Sequence, residues 1–314
     1  MAKKRIVMAL GHNALGTNLP EQKKAVTETA KVIADFIQAG WQVALTHSNA
    51  PQVGMIHTAM NEFGKQHDGY TSAPMSVCSA MSQGYIGYDL QNGIRAELVK
   101  RGIYKPVATI LTQMMVDPYD DSFYTPMKPV GRFMTAGEAK EEEEKGNYVE
   151  EIPGKGFRRV IASPKPVSIV EIDVIKAVMD ADQIVIACGG GGIPVVRDYN
   201  NKGCYKGVAA VIDKDMGGEL LAEDCGADVL FLLTAVEHVA INFGKPDQQE
   251  LEELTADEAE RLADEGQFGK GSMEPKVRAA IKFARSRKGR TCIIGALDKA
   301  AETMAGLSGT RICG

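Results

Sequence analysis

The chain has 314 residues, of which 44% are hydrophobic and 25% are charged, and its formal net charge is −5. This length allows one large α/β domain or two fused lobes with a sizeable core, and the composition is typical of a globular protein. The negative charge argues against nucleic acid or an anionic membrane surface as a partner, and no apolar run approaches the length of a membrane span.

Apolar, β-branched runs alternate along the chain with stretches of helical spacing. Strands are predicted at residues 6–10, 42–46, 107–111, 184–188, 229–234 and 292–295, and helices at residues 22–39, 82–101 and 170–180. This alternation predicts an α/β fold with an open, mainly parallel sheet between helix layers. Because ligands of such sheets bind beyond the carboxyl ends of the strands, the loops that follow the strands are the candidate binding loops.

Residues 117–166 interrupt the alternation. The segment is rich in proline and glycine and carries an acidic run, but it contains no long apolar strand. We therefore predict an inserted small subdomain with one short helix at about residues 136–145. Lys128 lies in it between Pro126 and Pro129, which stiffen the backbone and could present the lysine to a cleft. An exposed loop lysine fits the same pattern.

Four consecutive glycines, Gly189 to Gly192, follow the apolar run of residues 184–188. Backbone without side chains can adopt positive φ and bring its N–H groups close to a ligand. Stacked N–H groups in a concave loop attract anions, phosphate above all. A tight turn with close packing is the alternative, but four glycines directly after a strand favour a phosphate-type site.

Asp213, Lys214 and Asp215 follow the apolar run of residues 208–212. Carboxylates on both sides of a lysine favour its charged form. Near a glycine loop, such a lysine is suited to neutralising a phosphoryl group during transfer. By themselves, however, these three residues fit a surface turn with an ion pair better.

Two further segments complete the chain towards its C-terminus. Residues 248–265 are acidic and predict a surface helix. In residues 271–276, Pro275 suits the first turn of a helix, which places Ser272 near the cap and Lys276 within about the first turn. A cation there opposes the helix macrodipole unless an anion offsets it, so an anion site and a plain surface lysine both remain open.

Several classes of protein are disfavoured. The six cysteines are scattered without a CxxC pair, which predicts reduced thiols in a cytoplasmic protein and no zinc site. The N-terminus has no signal-peptide core. The five histidines lack metal-ligand spacing, and the signatures of serine hydrolases and Walker-type NTPases are absent. The first strand also lacks the GxGxxG signature of a Rossmann-type dehydrogenase.

From Ile6 to nearly its C-terminus, the chain resembles carbamate kinase in the amino acid kinase superfamily, and seven motifs in the same order carry the resemblance. They are Thr112-Gln113 with residues 116–118, residues 126–131 (PMKPVG), 163–166 (SPKP), 188–194 (CGGGGIP), 211–215 (VIDKD), 242–247 (NFGKPD) and 271–276 (GSMEPK). So many motifs in one order identify the chain as a member of this family.

The resemblance implies an N-terminal lobe at residues 1–205 for carbamate or carbamoyl phosphate, and a nucleotide-binding lobe at residues 206–314. Residues 117–166 would be the family's protruding subdomain, which closes over the carbamoyl site. The implied reaction is reversible phosphoryl transfer between carbamoyl phosphate and ADP, giving ATP and carbamate, in catabolism of arginine or ureido compounds. The implied cofactor is Mg²⁺ that arrives on ADP or ATP, with few if any direct protein ligands, and the implied assembly is a homodimer.

The resemblance also implies a role for individual residues. Phosphoryl transfer needs alignment and charge stabilisation more than covalent help. The implied catalytic residues are Lys128, Lys214, Lys276 and Asp213. The implied substrate-binding residues are Gly11, His12, Asn13, Ser48, Asn49, Gly190, Gly191 and Gly192. The implied nucleotide-binding residues are Asp215, Thr234, Phe243, Lys245, Met273 and Lys276.

The chain departs from the family pattern at loops that border the acceptor side. His12, Ser48 and Ala50 stand where the family has glycine, and so does Ala235 after Thr234. If the replaced glycines had positive φ, a side chain there would cost on the order of 1 kcal/mol or more and reshape the loops. Two alternatives therefore stay open: a kinase of the same fold with another small acylphosphate or ureido substrate, and a nucleotide-binding regulatory protein that has lost catalysis.

Overall fold

The computed structural model describes residues 3–269 and 271–314. Met1 and Ala2, where the predicted N-terminal lobe begins, lie outside the described residues, as does Lys270. The described helices are α1 (Leu19–Gln38), α2 (Ala50–Gln66), α3 (Met75–Lys100), α4 (Ala136–Glu144), α5 (Ile172–Asp180), α6 (Lys214–Asp224), α7 (Ala256–Asp264), α8 (Met273–Ser286) and α9 (Ala300–Met304).

The strands in the same ranges form one large sheet and three small ones. They are β1 (Arg5–Leu10), β2 (Gln42–His47), β3 (Val107–Thr109), β4 (Gln113–Val116), β5 (Lys128–Met134), β6 (Tyr148–Ile152), β7 (Gly156–Ile161), β8 (Pro166–Ile169), β9 (Ile184–Ile186), β10 (Ile193–Arg197), β11 (Tyr205–Gly207), β12 (Val229–Thr234), β13 (Val239–Ile241), β14 (Gln249–Leu251), β15 (Glu253–Thr255), β16 (Thr291–Ala296) and β17 (Thr310–Cys313).

The large sheet has eight strands in the order β15-β17-β16-β12-β1-β2-β9-β3. The six strands from β16 to β3 are parallel, and β17 returns antiparallel beside β16. Helices cover both faces, so the predicted fold class is confirmed. The carboxyl ends of β1, β2 and β12 therefore meet at one edge, where the sheet presents its binding loops.

Alternate residues of the parallel strands enter two separate cores. Val7, Ala9 and Leu232 pack in a core with α5, α6, α7 and α8. Their neighbours Met8 and Phe231 pack in a second core with α1 and α3. Successive side chains of a strand point to opposite faces, so continuous apolar runs are what a sheet buried on both sides requires.

The inserted segment forms a second, smaller layer. Strands β5, β7 and β6 make a three-stranded sheet with α4 packed beside it. The predicted helix at residues 136–145 is confirmed as Ala136–Glu144, with Thr135 and Glu138 in a capping box. The strands escaped prediction because most of their residues are exposed or half-buried and many carry charges, so they show no apolar alternation.

The prediction of one helix over residues 248–265 is wrong in its first half. Gln249–Leu251 pairs with β13, and Glu253–Thr255 adds to the edge of the large sheet beside β17. Only Ala256–Asp264 is helical, capped by the Thr255 side chain. Pairing with β13, which precedes the segment in a hairpin, and with the distant β17 overrode the local helical composition.

Candidate active site

A cavity of about 470 Å³ opens at the carboxyl edge of the large sheet, below the small sheet of the inserted segment. Twelve of the predicted site residues line this cleft: Gly11, His12, Asn13, Ser48, Asn49, Lys128, Gly190, Asp213, Lys214, Asp215, Thr234 and Lys276. They come from seven separate segments of the chain. The tertiary structure therefore brings most of the predicted site together around one hollow.

The start of α6 supplies the first charged group. The side chain of Asp213 caps the helix by accepting a hydrogen bond from the Asp215 N–H at 2.9 Å. Lys214 is the first helical residue, and its ammonium group donates to Asp215. Carboxylates beside a helix N-terminus and a lysine are stabilised by both. The ion pair expected from these three residues exists, but it lines a cleft and is not on an open surface turn.

Asp215 joins two lysines from different helices. Only 4% of its side chain is exposed, and its second oxygen accepts from Lys276 Nζ at 2.9 Å. Lys276 lies in the first turn of α8, next to the predicted cap position Ser272, whose side chain makes no capping bond. One buried carboxylate thus holds two ammonium groups at the same side of the cleft, where they offset the cost of its burial.

The small sheet supplies a third lysine from the opposite side. Lys128, the first residue of β5, donates from Nζ to Asp213 Oδ2 at 2.6 Å. Burial would raise the pKa of Asp213, but the charge of Lys128 and its hydrogen bond hold that pKa below its usual value. Asp213 thus stays ionised, and it connects the inserted segment to the start of α6.

Arg158 is a cleft residue that the sequence analysis missed. It lies on β7, lines the cleft, donates to the Gly131 carbonyl at 2.8 Å and stacks over Phe133 at 5.3 Å. Its buried Nε has no hydrogen-bond partner among the described residues. The sequence did hold an indication, because Arg158 and Arg159 are adjacent. On a strand, two adjacent side chains face opposite sides, so one of the two arginines would face the cleft.

The glycine loop is closely packed, and one of its residues lines the cleft. Gly190 lines the cleft with a φ of 65°. Gly191 and Gly192 lie behind it and do not line the cavity; a Cβ on Gly191 would sit 2.6 Å from the Ile212 carbonyl oxygen. The expected close packing is therefore present. The N–H groups of Gly191 and Gly192 donate within the turn, to the Cys188 and Gly189 carbonyls, so a phosphate-binding role for the loop stays a prediction.

Side chains beneath the loop hold it in place. Gln83 donates to the Gly189 carbonyl at 2.9 Å, and Thr46 donates to the Cys188 carbonyl at 2.8 Å. Cys188 itself has a φ of 52°, a conformation that costs a non-glycine residue energy. Buried His47 packs against Gly189, and burial lowers its pKa to about 4, so the imidazole is neutral at pH 7.

The replaced family glycines cause no backbone strain. Among the described non-glycine residues, only Asp182, Cys188 and Asn242 have positive φ. The backbone conformations are therefore open to any residue at His12, Ser48, Ala50 and Ala235. The loops were expected to be reshaped only if these positions had positive φ, so that expectation does not apply. All four residues line the cleft, so the change is in the groups presented there and not in the path of the chain.

Amide side chains fix the loops after β1 and β2. Asn13 donates from Nδ2 to the Thr234 carbonyl at 3.1 Å, which ties the loop after β1 to the end of β12. Asn49 donates to Ser82 Oγ at 2.8 Å and lies against Gly190, where a Cβ would meet the amide at 2.2 Å. These contacts place the loops and the glycine turn on one wall of the cleft.

Three predicted nucleotide-binding residues do not line the cleft. Phe243 is 69% exposed in the turn after β13, where Lys245 is also exposed. Met273 begins α8 and packs partly against the core. They lie in segments that neighbour the cleft: the Asn242 N–H bonds to Gln267, a few residues before Ser272. Their role towards an adenine base stays a prediction.

The arrangement is suited to an anionic ligand that carries several negative charges. Three ammonium groups, one guanidinium group and the edge of a glycine turn surround a space that two carboxylates only partly neutralise. Fixed cations around a phosphoryl group stabilise the charge of its transfer without covalent chemistry.

The comparisons with known proteins agree with this geometry. The amino acid kinase family matches residues 4–295. The carbamate kinase-like protein YqeA of Escherichia coli K12 is 53% identical, and the alignment covers 99% of each chain. The carbamate kinase of Clostridium perfringens is 48% identical over 98% of this chain and 99% of its own.

A solved structure supports the same assignment. Carbamate kinase from Giardia lamblia bound to AMP-PNP superposes with a TM-score of 0.90 at 40% identity, and the match covers 99% of both chains. No helix within residues 3–269 and 271–314 is long and apolar enough to cross a membrane. The chain therefore belongs to the amino acid kinase family and, within it, to the carbamate kinases and carbamate kinase-like proteins.

Proposed function

We propose that the protein is a carbamate kinase that transfers a phosphoryl group between carbamoyl phosphate and ADP. Towards ATP, a β-phosphate oxygen of ADP attacks the phosphorus of carbamoyl phosphate and the bond from phosphorus to the carbamoyl oxygen breaks. The leaving carbamate then decomposes to ammonia and CO₂. The observation that carries this proposal is the convergence of Lys128, Lys214 and Lys276 on one cleft.

Each charged residue has a proposed part in this transfer. Lys214 and Lys276 hold the transferring and nucleotide phosphates, while Asp215 fixes the distance between the two ammonium groups. Lys128 and Arg158 meet the carbamoyl end from the small sheet. Gly11, Asn13, Asn49 and Gly190 supply amide and backbone donors. Alignment and charge neutralisation of this kind account for most of the catalysis of phosphoryl transfer.

The cleft residues fit a magnesium ion that arrives on the nucleotide. Asp213 and Asp215 both accept hydrogen bonds from lysine ammonium groups, which would have to be displaced before either carboxylate could bind a cation. Mg²⁺ commonly keeps several waters and binds through substrate phosphates. When bound there, the ion would neutralise charge on the phosphate oxygens of ADP or ATP.

The proposal divides the chain into a carbamate lobe at residues 1–205, with the protruding subdomain at 117–166, and a nucleotide lobe at residues 206–314. It places the protein in the cytoplasm, in an ATP-yielding catabolic step. Support comes from the six cysteines, which are unpaired thiols and would stay reduced in that compartment.

We further propose a homodimer. The helix α3 exposes Val77, Met81 and Tyr88 on one face, with exposed fractions of 43%, 42% and 69%. A second copy would remove this apolar surface from water. Sedimentation velocity should show a species of twice the chain mass, and Met81→Glu should shift it towards the monomer. A monomer at all concentrations would contradict the assembly without affecting the reaction.

The function is tested by coupling ATP formation to a luciferase readout with ADP, Mg²⁺ and carbamoyl phosphate. We expect ATP formation above the rate of a protein-free blank, and the same rate in Lys24→Ala, which changes an exposed lysine of α1 outside the cleft. Absence of ATP, with nucleotide binding intact, would remove carbamoyl phosphate as the substrate.

The second candidate is a kinase of the same fold with a different small acceptor. The observation that favours it is the exposure of His12, Ser48 and Ala50 to the cleft at positions where glycine is usual. A panel of acylphosphates and ureido acids, followed by ATP release, distinguishes the two. In this case His12→Gly should shift the preference towards carbamoyl phosphate. ADP binding without turnover on any member of the panel would instead indicate a regulatory protein.

A further inference from the structure

A second cavity lies beside the cleft, on the other side of β7. Its volume is about 510 Å³, and it lies between α2 and the three-stranded sheet of the inserted segment. Arg158 faces the cleft, whereas its neighbour Arg159 lines this second cavity. Adjacent residues of one strand thus supply a guanidinium group to each of two separate spaces.

The charges around the second cavity leave Arg159 without a direct partner. Lys65 pairs with Glu62 at 2.7 Å, and Lys145 pairs with Glu142 at 2.8 Å. The other oxygen of Glu142 accepts from Asn147 at 2.7 Å. Arg159 is half-buried and forms neither a hydrogen bond nor an ion pair through its side chain among residues 3–269 and 271–314.

Burial of an unpaired cation is unfavourable. Desolvation lowers the pKa of Arg159, and only the nearby charge of Glu142 opposes the shift. Burial also lowers the pKa of His57, which lines the same cavity from α2, and the charge of Arg159 lowers it further. Glu142 is the carboxylate that acts on both groups, but its oxygens already accept from Lys145 and Asn147. An anion bound by Arg159 and His57 would relieve both effects, because it adds counter-charge beside them.

The remaining walls indicate what kind of anion fits. Val53, Met75, Val130 and Met134 line the same space, and its volume exceeds that of an inorganic ion severalfold. Pockets for small organic ligands combine mainly apolar walls with a few polar groups that fix orientation. A guanidinium group binds a carboxylate through two parallel hydrogen bonds.

We propose that this cavity is a second ligand site, which binds a small organic carboxylate through Arg159 and His57. The bound ligand would connect α2 with the small sheet. These two elements already touch at Gly54 and Gly131, where a Cβ on Gly54 would sit 3.3 Å from the other glycine. Because β5 carries Lys128 at its first residue, occupancy of this site holds that lysine over the cleft.

Binding is measured by isothermal titration calorimetry of the purified full chain without substrates, so the readout does not depend on turnover. The probes are hexanoate, acetate and inorganic phosphate, titrated separately. We expect hexanoate to bind more tightly than acetate, because of the apolar walls. Arg159→Gln should weaken hexanoate binding by roughly tenfold or more. The neighbouring variant Arg158→Gln and the cleft variant Lys214→Ala should bind hexanoate as the wild type does.

Other results would overturn the assignment. These are no binding of hexanoate by the wild type, binding of phosphate alone, or a loss of hexanoate binding in Lys214→Ala equal to that in Arg159→Gln. If Arg159→Gln does not fold, as judged by circular dichroism, His57→Gln takes its place, with a smaller loss expected because the guanidinium group remains.

The effect on Lys128 rests on the proposed function and has its own readout. Saturating hexanoate should lower the KM for carbamoyl phosphate in the wild type and leave it unchanged in Arg159→Gln. An unchanged KM in both, with calorimetric binding intact, would overturn the coupling to Lys128. If no protein forms ATP, the proposed function fails, while the calorimetric result still decides whether the site exists.

Discussion

The two sides of the cleft are built in different ways. On the side of α6 and α8, Lys214 and Lys276 have 15% and 13% of their side chains exposed and share the buried Asp215. On the side of the small sheet, Lys128 is 35% exposed and pairs with Asp213, which is 20% exposed. The first pair stands on helices of the main core, whereas Lys128 stands on a three-stranded sheet with little buried surface.

This difference shows how one fold provides both a fixed and an adjustable part of a site. Helices packed on a large sheet hold charges at set distances, which is what stabilisation of a transferring phosphoryl group requires. A small sheet joined to the body by one small apolar cluster, around Ile161 and Val130, opens at a lower free energy. We therefore expect changes on the α6 and α8 side to affect the chemical step most, and changes on the small sheet to affect substrate capture.

The largest effect is expected from Lys214→Ala. Removal of a preorganised cation from the reacting centre should lower kcat on the order of a hundred- to a thousandfold. Lys276→Ala should behave alike, since both lysines share Asp215. Steady-state rates of ATP formation measure this. A higher KM with an unchanged kcat would contradict the assignment of this side to the chemical step.

The pH dependence of stability should reveal Glu219, which lies on α6 and pairs with Lys282 of α8. The carboxyl group is fully buried, and burial raises its pKa from 4.5 to about 7, although Lys282 donates to it at 2.6 Å. The folded state therefore holds the proton more tightly than the unfolded state. This group therefore contributes on the order of 3 kcal/mol to the free energy of unfolding below pH 4.5. That contribution is lost as the pH rises to about 7.

The matched variant for this prediction is Glu219→Gln, which keeps the shape and the acceptor oxygen for Lys282. Urea unfolding between pH 4.5 and 7.5 should show a flatter pH dependence for the variant than for the wild type. The difference between the two curves is the relevant quantity, because buried His47, with its pKa lowered to about 4, contributes the opposite slope over part of this range. Parallel curves would refute the raised pKa.

Gly191→Ala tests whether the glycine loop beside the lysines is tightly packed. The residue has a φ of 88°, and its added Cβ would sit 2.6 Å from a backbone oxygen. Gly203→Ala is the control, since its φ of 82° is similar but nothing lies within 4 Å of the added atom. Both variants incur backbone strain, and only the first adds overpacking, which typically costs about 1–3 kcal/mol more. Equal midpoints of urea unfolding for both variants would exclude a tightly packed loop.

The smallest effect is expected on the small sheet. Lys128→Ala should raise the KM for carbamoyl phosphate roughly tenfold, about the strength of one charge-assisted hydrogen bond to a ligand, with a smaller change in kcat. The control is Lys155→Ala, an exposed lysine at the far end of the same sheet, which should leave both constants unchanged. If Lys128→Ala lowers kcat as much as Lys214→Ala does, the distinction between the two sides is wrong.

Much of the site was predictable because its residues lie at the ends of strong sequence patterns. Residues 229–234 form a strand within the predicted bounds, and Lys276 lies in the first turn of α8 as Pro275 indicated. Each of these predictions rests on local chemistry: apolar runs long enough to cross the sheet, and a proline at a helix start.

Other parts depended on pairing partners that lie outside the segment itself. The strands at Gln249–Leu251 and Glu253–Thr255 exist because β13 and β17 pair with them, and the polar strands of the small sheet exist because they pair with one another. Arg158 was missed for the same reason, since only the pairing of β7 decides which face each arginine occupies.

The amino-acid sequence alone determined the doubly covered parallel sheet, the position of its binding loops and the family, because these depend on periodicity and on ordered local motifs. Only the tertiary structure decided that Asp215 joins two lysines, that Asp213 joins a third, and that Arg158 and Arg159 serve separate cavities. Electrostatic pairing and the direction of a side chain depend on distances between segments far apart along the chain, and a single sequence does not record those distances.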